Sequence, residues 1–154
     1  MPLELSGDIA GLGKIVQIVR ATDTTQRTTT STSYVDANIS VTITPQKSDS
    51  AILVLGLFFW EASHPGTTAA GQIQLTDNSN NTLSGAEGCQ VGVFGSSNSG
   101  TQFIEGEITL IGYSTPATTS ATTYKARFKA FSPSTLSLRN NINTGQLFAI
   151  EVAA

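Results

Sequence analysis

Two glutamates two residues apart, Glu105 and Glu107, are the best candidates in this sequence for acid–base chemistry. They alternate with apolar residues, so both side chains lie on the same face of a predicted strand. Two neighbouring carboxylates can cleave a glycosidic bond. A structural interpretation is favoured, because Lys125, Arg127 and Lys129 have the same spacing in the next predicted strand.

A hairpin with its loop centred near residue 117 would place Glu107 opposite Arg127 and Glu105 opposite Lys129. Opposite charges on neighbouring strands stabilise a sheet by about 0.2–1 kcal/mol per pair. The sequence therefore predicts a structural charge ladder made of Glu105, Glu107, Lys125, Arg127 and Lys129. It predicts no catalytic residue.

The other reactive side chains have no supporting pattern. His64 is the single histidine, and Cys89 is the single cysteine and lies in a Gly-rich stretch. Asp77, Ser79 and Asn81 alternate like calcium ligands, but the glycine and the glutamate of a calcium loop are missing, so an Asx turn is favoured. We expect no metal, no cofactor and no enzymatic activity.

The composition indicates a β-protein. Only 12% of the 154 residues are charged, against about 25% in an average domain, which argues against a helical bundle or a coiled coil. The net charge of −3 argues against a nucleic-acid partner. The longest apolar run, residues 51–60, is too short for a membrane-spanning helix, and residues 1–20 do not resemble a signal peptide. We expect neither a membrane partner nor a leader.

Short alternating segments separated by turn residues indicate about eight to ten strands. The clearest segments are 34–44, 51–61, 102–113 and 123–131. This pattern predicts an all-β fold, a single antiparallel β-sandwich that is jelly-roll-like. We expect residues 1–13 to form an extended N-terminal arm and residues 14–154 to form the sandwich; strand pairing within 82–101 is left open.

The strand predicted at 51–60 is apolar on both faces. One face contains the alternate residues Ile52, Val54, Phe58 and Trp60. The other face contains Leu53, Leu55, Leu57 and Phe59. A sandwich core covers one face of a strand, so the other needs a loop or a neighbouring subunit. The sequence favours the second row, Leu53 to Phe59, as an oligomer interface.

Three segments resemble a group of bacteriophage virion proteins from phages of cyanobacteria and other aquatic bacteria. They are GKIVQIV (13–19), TSTSYVDANISVTITPQKSDSAILV (30–54) and TSATTYKARFKA (119–130). The resemblance implies a jelly-roll-like sandwich that often forms trimers, and it implies no catalytic residues. Members of the group occur in tail fibres, in receptor-binding ends and on capsids.

Three alternative functions remain, and the resemblance favours the first two. The first is a capsid decoration (cement) protein, a homotrimer that contacts the major capsid protein or other virion proteins and stabilises the shell by bridging capsomers. The second is a tail-fibre or tail-tip module that recognises a host glycan or surface protein. The third and least favoured is a depolymerase. For the first two, we expect the protein in the virion, which assembles in the host cytoplasm.

Overall fold

The computed structural model describes residues 13–64, 66, 68–93 and 100–153. Within them the chain forms ten β-strands. They are β1 (Lys14–Asp23), β2 (Arg27–Thr29), β3 (Val35–Ile43), β4 (Ala51–His64), β5 (Ala69–Asp77), β6 (Cys89–Val93), β7 (Gln102–Ser114), β8 (Thr122–Ala130), β9 (Thr135–Leu138) and β10 (Gly145–Ala153). In the described part of the chain, no helix is long and apolar enough to cross a membrane. The predicted arm, apart from Gly13, lies outside the described residues.

The strands form two antiparallel sheets. In the six-stranded sheet, β10 pairs with β1 and with the first half of β4. The short β9 pairs with the second half of β4, and β2 pairs with β9. β7 pairs with the opposite edge of β4 along its whole length. The four-stranded sheet has the order β3-β8-β5-β6.

Without the short β2 and β9, the two sheets have the orders β1-β10-β4-β7 and β3-β8-β5-β6. Most consecutive strands therefore lie in opposite sheets, which is the arrangement of a jelly roll made of two Greek keys. The prediction of a single antiparallel, jelly-roll-like sandwich with eight to ten strands is confirmed.

The core lies between the two sheets and follows the alternation seen in the sequence. In β8, Tyr124, Ala126, Phe128 and Ala130 are buried and alternate with partly exposed polar residues. In β4 the buried row is Ile52, Val54, Phe58 and Trp60. The row Leu53, Leu55, Leu57 and Phe59 is half-buried and lies on the outer face of the six-stranded sheet.

A buried carboxylate closes one end of the sandwich. Glu151 of β10 is fully buried beneath the turn that joins β3 to β4. Its oxygens accept hydrogen bonds from the backbone N–H of Gln46 at 2.8 Å and of Lys47 at 3.3 Å, and from Nε2 of Gln17 at 2.6 Å. Burial raises the pKa of Glu151, but these hydrogen bonds outweigh that effect, so the pKa lies below its ordinary value.

Candidate functional site

The two sheets have outer faces of opposite chemistry, and this contrast defines the candidate site. The outer face of the four-stranded sheet is polar. Its outward side chains in the paired parts of β3, β8 and β5 are polar. Those of Asp36, Ser40, Thr42, Thr123, Lys125, Arg127, Lys129 and Gln72 are exposed or half-buried, whereas Gln74 and Thr76 on the same face are buried. Polar outward residues are what solvent requires of a sandwich face.

The outer face of the six-stranded sheet is apolar at the end where β4 begins. We call this surface the apolar face; it consists of Ile15, Ile18, Leu53, Leu55, Leu57, Phe59, Ile111, Tyr113, Phe148, Ile150 and Val152. Of the four predicted interface residues, Leu53 and Leu55 lie at its centre. Leu57 lies between Gln146 and Thr109, and Phe59 lies opposite Glu107, so these two mark its polar boundary. Whether another copy covers the four residues stays a prediction.

Strand register brings these side chains into rows across four strands. Leu53 lies opposite Ile150 on one side and Tyr113 on the other. The next row places Leu55 between Phe148 and Ile111. The apolar face is therefore continuous from β1 through β10 and β4 to β7.

The edges of the apolar face are the most exposed. Ile15, Ile18, Ile111 and Tyr113 are 49% to 58% exposed. The strand spacing of about 4.8 Å and the rise of about 3.4 Å per residue give its central part, four strands wide and five residues long, an area of roughly 300 Å². The largest apolar patch on a typical monomer measures about 300–600 Å² and is often functional.

Sequence reasoning identified the β4 row of this surface but missed its extension into β1, β7 and β10. The signal was present in the sequence. In β7 the buried Leu110 is followed by the exposed Ile111, and in β1 the half-buried Val19 follows the exposed Ile18. Successive residues of a strand face opposite sides of its sheet, so a strand with apolar residues at successive positions is apolar on both sides. Several such strands in one sheet indicate an apolar outer face.

The predicted charge ladder is wrong. β7 belongs to the six-stranded sheet and β8 to the four-stranded sheet, so Glu105 and Glu107 do not pair with Arg127 or Lys129. The physical reason is that residues 115–121 connect the two sheets instead of turning back within one. The alternation of charge is the same for a hairpin and for a crossover between sheets, so the pattern alone could not distinguish them.

Glu105 and Glu107 instead lie at the acidic end of the same outer face. Glu107 accepts a hydrogen bond from Nδ2 of Asn143 at 2.8 Å. Glu105 lies opposite Glu61, which forms an ion pair with Arg139. Both glutamates are exposed on an edge strand, where charged residues discourage pairing with other strands.

Replacing Glu105 and Glu107 together with Gln is expected to change the free energy of unfolding by less than about 1 kcal/mol, because exposed charges contribute little. Urea unfolding measures this. The matched control is Glu61→Gln, which breaks the pair with Arg139 and is expected to cost more. A glycan-cleaving activity that disappears in the double variant would contradict the structural interpretation of these carboxylates.

The three cations of β8 are held on the outer face of the four-stranded sheet. Nζ of Lys125 and Nε of Arg127 lie 3.3 Å and 3.4 Å from the same oxygen of Asp36. Nζ of Lys129 lies 4.7 Å from the centre of the Tyr34 ring. The sequence predicted that these three cations share one face, but it did not predict their partners. Asp36 lies in β3 and Tyr34 just before it, and both are distant from β8 in the chain.

The remaining candidates do not come together. His64 ends β4, and Cys89 is an exposed free thiol at the start of β6. The Asx turn is confirmed, since Asp77 Oδ1 accepts hydrogen bonds from the backbone N–H of Ser79 and of Asn81. Among the described residues, no three His, Cys, Asp or Glu side chains are arranged to hold a metal ion.

Comparison with known proteins adds no family. No family model matches the chain, and no curated protein matches it. A solved structure of a mutant VP2 protein of infectious bursal disease virus, from derived T=1 particles, is similar with 12% identity and a TM-score of 0.41. The similarity covers 88% of this chain and 38% of the viral protein, so this chain spans well under half of that protein.

A second similar structure is described as a CBM4. It has 10% identity and a TM-score of 0.22, and the match covers 88% of this chain and 92% of that one. Both TM-scores are below 0.5, so neither similarity supports a functional conclusion.

Proposed function

We propose that this protein is a non-enzymatic structural component of a bacteriophage virion, a capsid decoration protein that bridges neighbouring capsomers. The observation that supports this most directly is the contrast between the two outer faces. Water solvates a polar outer face favourably. Each apolar side chain that stays exposed on the apolar face instead destabilises the isolated chain. We infer that a second copy of the chain packs against the apolar face.

The assembly we propose is a homotrimer, with the apolar faces of three copies around one axis. Burial of one Leu or Phe side chain stabilises an interface by about 1.5–3 kcal/mol. The row from Leu53 to Phe59 supplies four such side chains from each subunit. The resemblance of residues 13–19, 30–54 and 119–130 to virion proteins supports both the trimer and the location in the virion.

The partners that follow are other copies of the chain and the major capsid protein or another virion protein. The net charge of −3 gives no general attraction to nucleic acid. A jelly roll occurs in viral capsid domains and in lectins alike, so the fold does not choose between these functions.

Light scattering on the purified protein tests the assembly. We expect a particle with three times the mass of the 16.1 kDa chain at micromolar concentration. A 16.1 kDa species at micromolar concentration, with single copies also on the particle, would contradict the trimer.

The copy number in the virion tests the function. A decoration protein is present in hundreds of copies, and quantifying its band against the major capsid protein measures this. A count of a few to tens of copies would instead indicate the second candidate, a tail-fibre or tail-tip module that recognises a host glycan or surface protein. A polar groove on the outer face of the four-stranded sheet favours this second candidate.

A further inference from the structure

A groove of about 360 Å³ runs across the outer face of the four-stranded sheet, on the side of the sandwich opposite the apolar face. Its polar lining consists of Asp36, Asn38, Ser40, Asn78, Thr123 and Lys125. We propose that this groove binds an acidic saccharide, a hydroxyl-rich ligand that bears a carboxylate or a sulfate. The proposal concerns a site separate from the assembly surface.

The lining has the donors and acceptors that a sugar requires. Asn38 and Asn78 each offer an amide donor and a carbonyl acceptor, and Ser40 and Thr123 offer hydroxyls that do both. Asp36 adds an acceptor for hydroxyl groups, and the four neutral side chains offer a hydroxyl-rich ligand more hydrogen bonds than a bare inorganic anion, which only accepts them. A saccharide is therefore a better occupant than phosphate or sulfate alone.

The charges around the groove indicate that the saccharide is acidic. Lys125 and Arg127 share the single carboxylate of Asp36, so positive charge is in excess at this place although the whole chain is negative. Their side chains are only 16% and 19% exposed, which holds the charges in position. Of these two cations, Lys125 lines the groove itself, and Arg127 lies beside it through the shared contact with Asp36.

A bulge in β3 shapes the groove independently of its charge. Asp36 pairs with Arg127 and Ser40 pairs with Lys125, but the register shifts between these two pairs. Asn38 lies within the shifted segment with a φ of 55°, a left-handed conformation that costs backbone energy for a residue other than Gly. Bulges reorient side chains next to binding sites, and this one adds the exposed amide of Asn38 to the groove.

The position of the groove is compatible with assembly. The two outer faces are on opposite sides of the sandwich, so a copy packed on the apolar face leaves the groove open. Three copies would then present three grooves, and a polymeric saccharide could engage more than one of them with increased avidity.

Calorimetry on the purified full-length chain tests the site. The probes are an oligosaccharide of uronic acids, a sulfated oligosaccharide, a neutral dextran oligomer, inorganic sulfate and a single-stranded DNA oligonucleotide. We expect binding of one or both acidic oligosaccharides, weakening as salt rises, and at least tenfold weaker binding of the neutral oligomer. Preference for uronate or for sulfate identifies the anionic group.

Two variants locate the binding. Lys125→Gln is expected to weaken it about tenfold by removing a charge-assisted hydrogen bond. Asn38→Gly removes the amide while keeping the left-handed backbone accessible, and is expected to weaken binding several-fold. The control is Lys47→Gln, an exposed lysine on the β3–β4 turn whose loss changes the net charge equally.

Circular dichroism confirms that each variant is folded, and light scattering confirms that its assembly is unchanged. The proposal is overturned if no acidic oligosaccharide binds at millimolar concentration, if Lys125→Gln binds as tightly as the parent, or if inorganic sulfate or DNA binds as well as the saccharides. A protein that is not trimeric but still binds the acidic oligosaccharide would contradict the proposed function and support this site.

Discussion

Replacing Leu55 with Asp is expected to give a folded protein that no longer trimerises and no longer docks on its particle. Leu55 lies at the centre of the apolar face, between Phe148 and Ile111 in the register. The substitution removes about 1.5–3 kcal/mol of apolar burial per subunit and adds a carboxylate that the interface would have to desolvate. We expect association to weaken by about 100-fold or more. Sedimentation with circular dichroism measures assembly and fold together.

The neighbouring residue supplies a matched control. Val54 is fully buried in the core, on the other face of the same strand. Val54→Asp is expected to unfold the protein, because a buried unpaired charge costs several kcal/mol. If Leu55→Asp unfolds the protein as Val54→Asp does, the outer row belongs to the core. If Leu55→Asp is folded and still trimeric, the interface lies elsewhere.

Replacing Glu151 with Gln is expected to lower the free energy of unfolding by about 2–3 kcal/mol near neutral pH, because charge-assisted hydrogen bonds contribute about 1.5–3 kcal/mol each. The ionised carboxylate holds the β3–β4 turn through Gln46 and Lys47. For a domain of this length, the loss corresponds to a decrease in Tm of about 4–12 °C. Thermal unfolding measures it.

The same carboxylate makes stability depend on pH. Its pKa is lowered in the folded protein from an ordinary value of 4.5, so the folded state favours the ionised form. This contribution is therefore fully present above about pH 4.5 and is lost as the pH falls through the lower folded value. The Glu151→Gln variant should lose less stability than the parent between pH 6 and pH 3.

Asp49→Asn is the control for this experiment. Asp49 is exposed on the turn that Glu151 holds, and its replacement removes the same charge. We expect its pH dependence to match that of the parent. Equal pH dependence in the parent and in Glu151→Gln would show that the buried carboxylate does not stabilise the fold through its charge.

Much of the fold was predictable because strand alternation is a local property. The sequence 123–131 predicted that Tyr124 and Phe128 share a buried face, and both are buried in β8. The double apolar character of 51–60 predicted that one row of β4 would be left outside the core, and the row from Leu53 to Phe59 is on the outer face. Each of these properties depends on the period of two residues in a strand, which neighbouring residues determine by themselves.

Which strands become neighbours was decided by the tertiary structure. Glu105 to Lys129 form a charge pattern that suits a hairpin, yet the chain crosses to the other sheet after Ser114 and the pattern gives no sign of it. The contacts of Glu151 with Gln46, and of Asp36 with Lys125 and Arg127, join residues about 90 to 105 positions apart. Sequence by itself determined the class of fold and the faces of its strands. Only the folded structure decided the apolar face and the polar groove, because both are built by strands that are distant in the chain and become adjacent when the two sheets form.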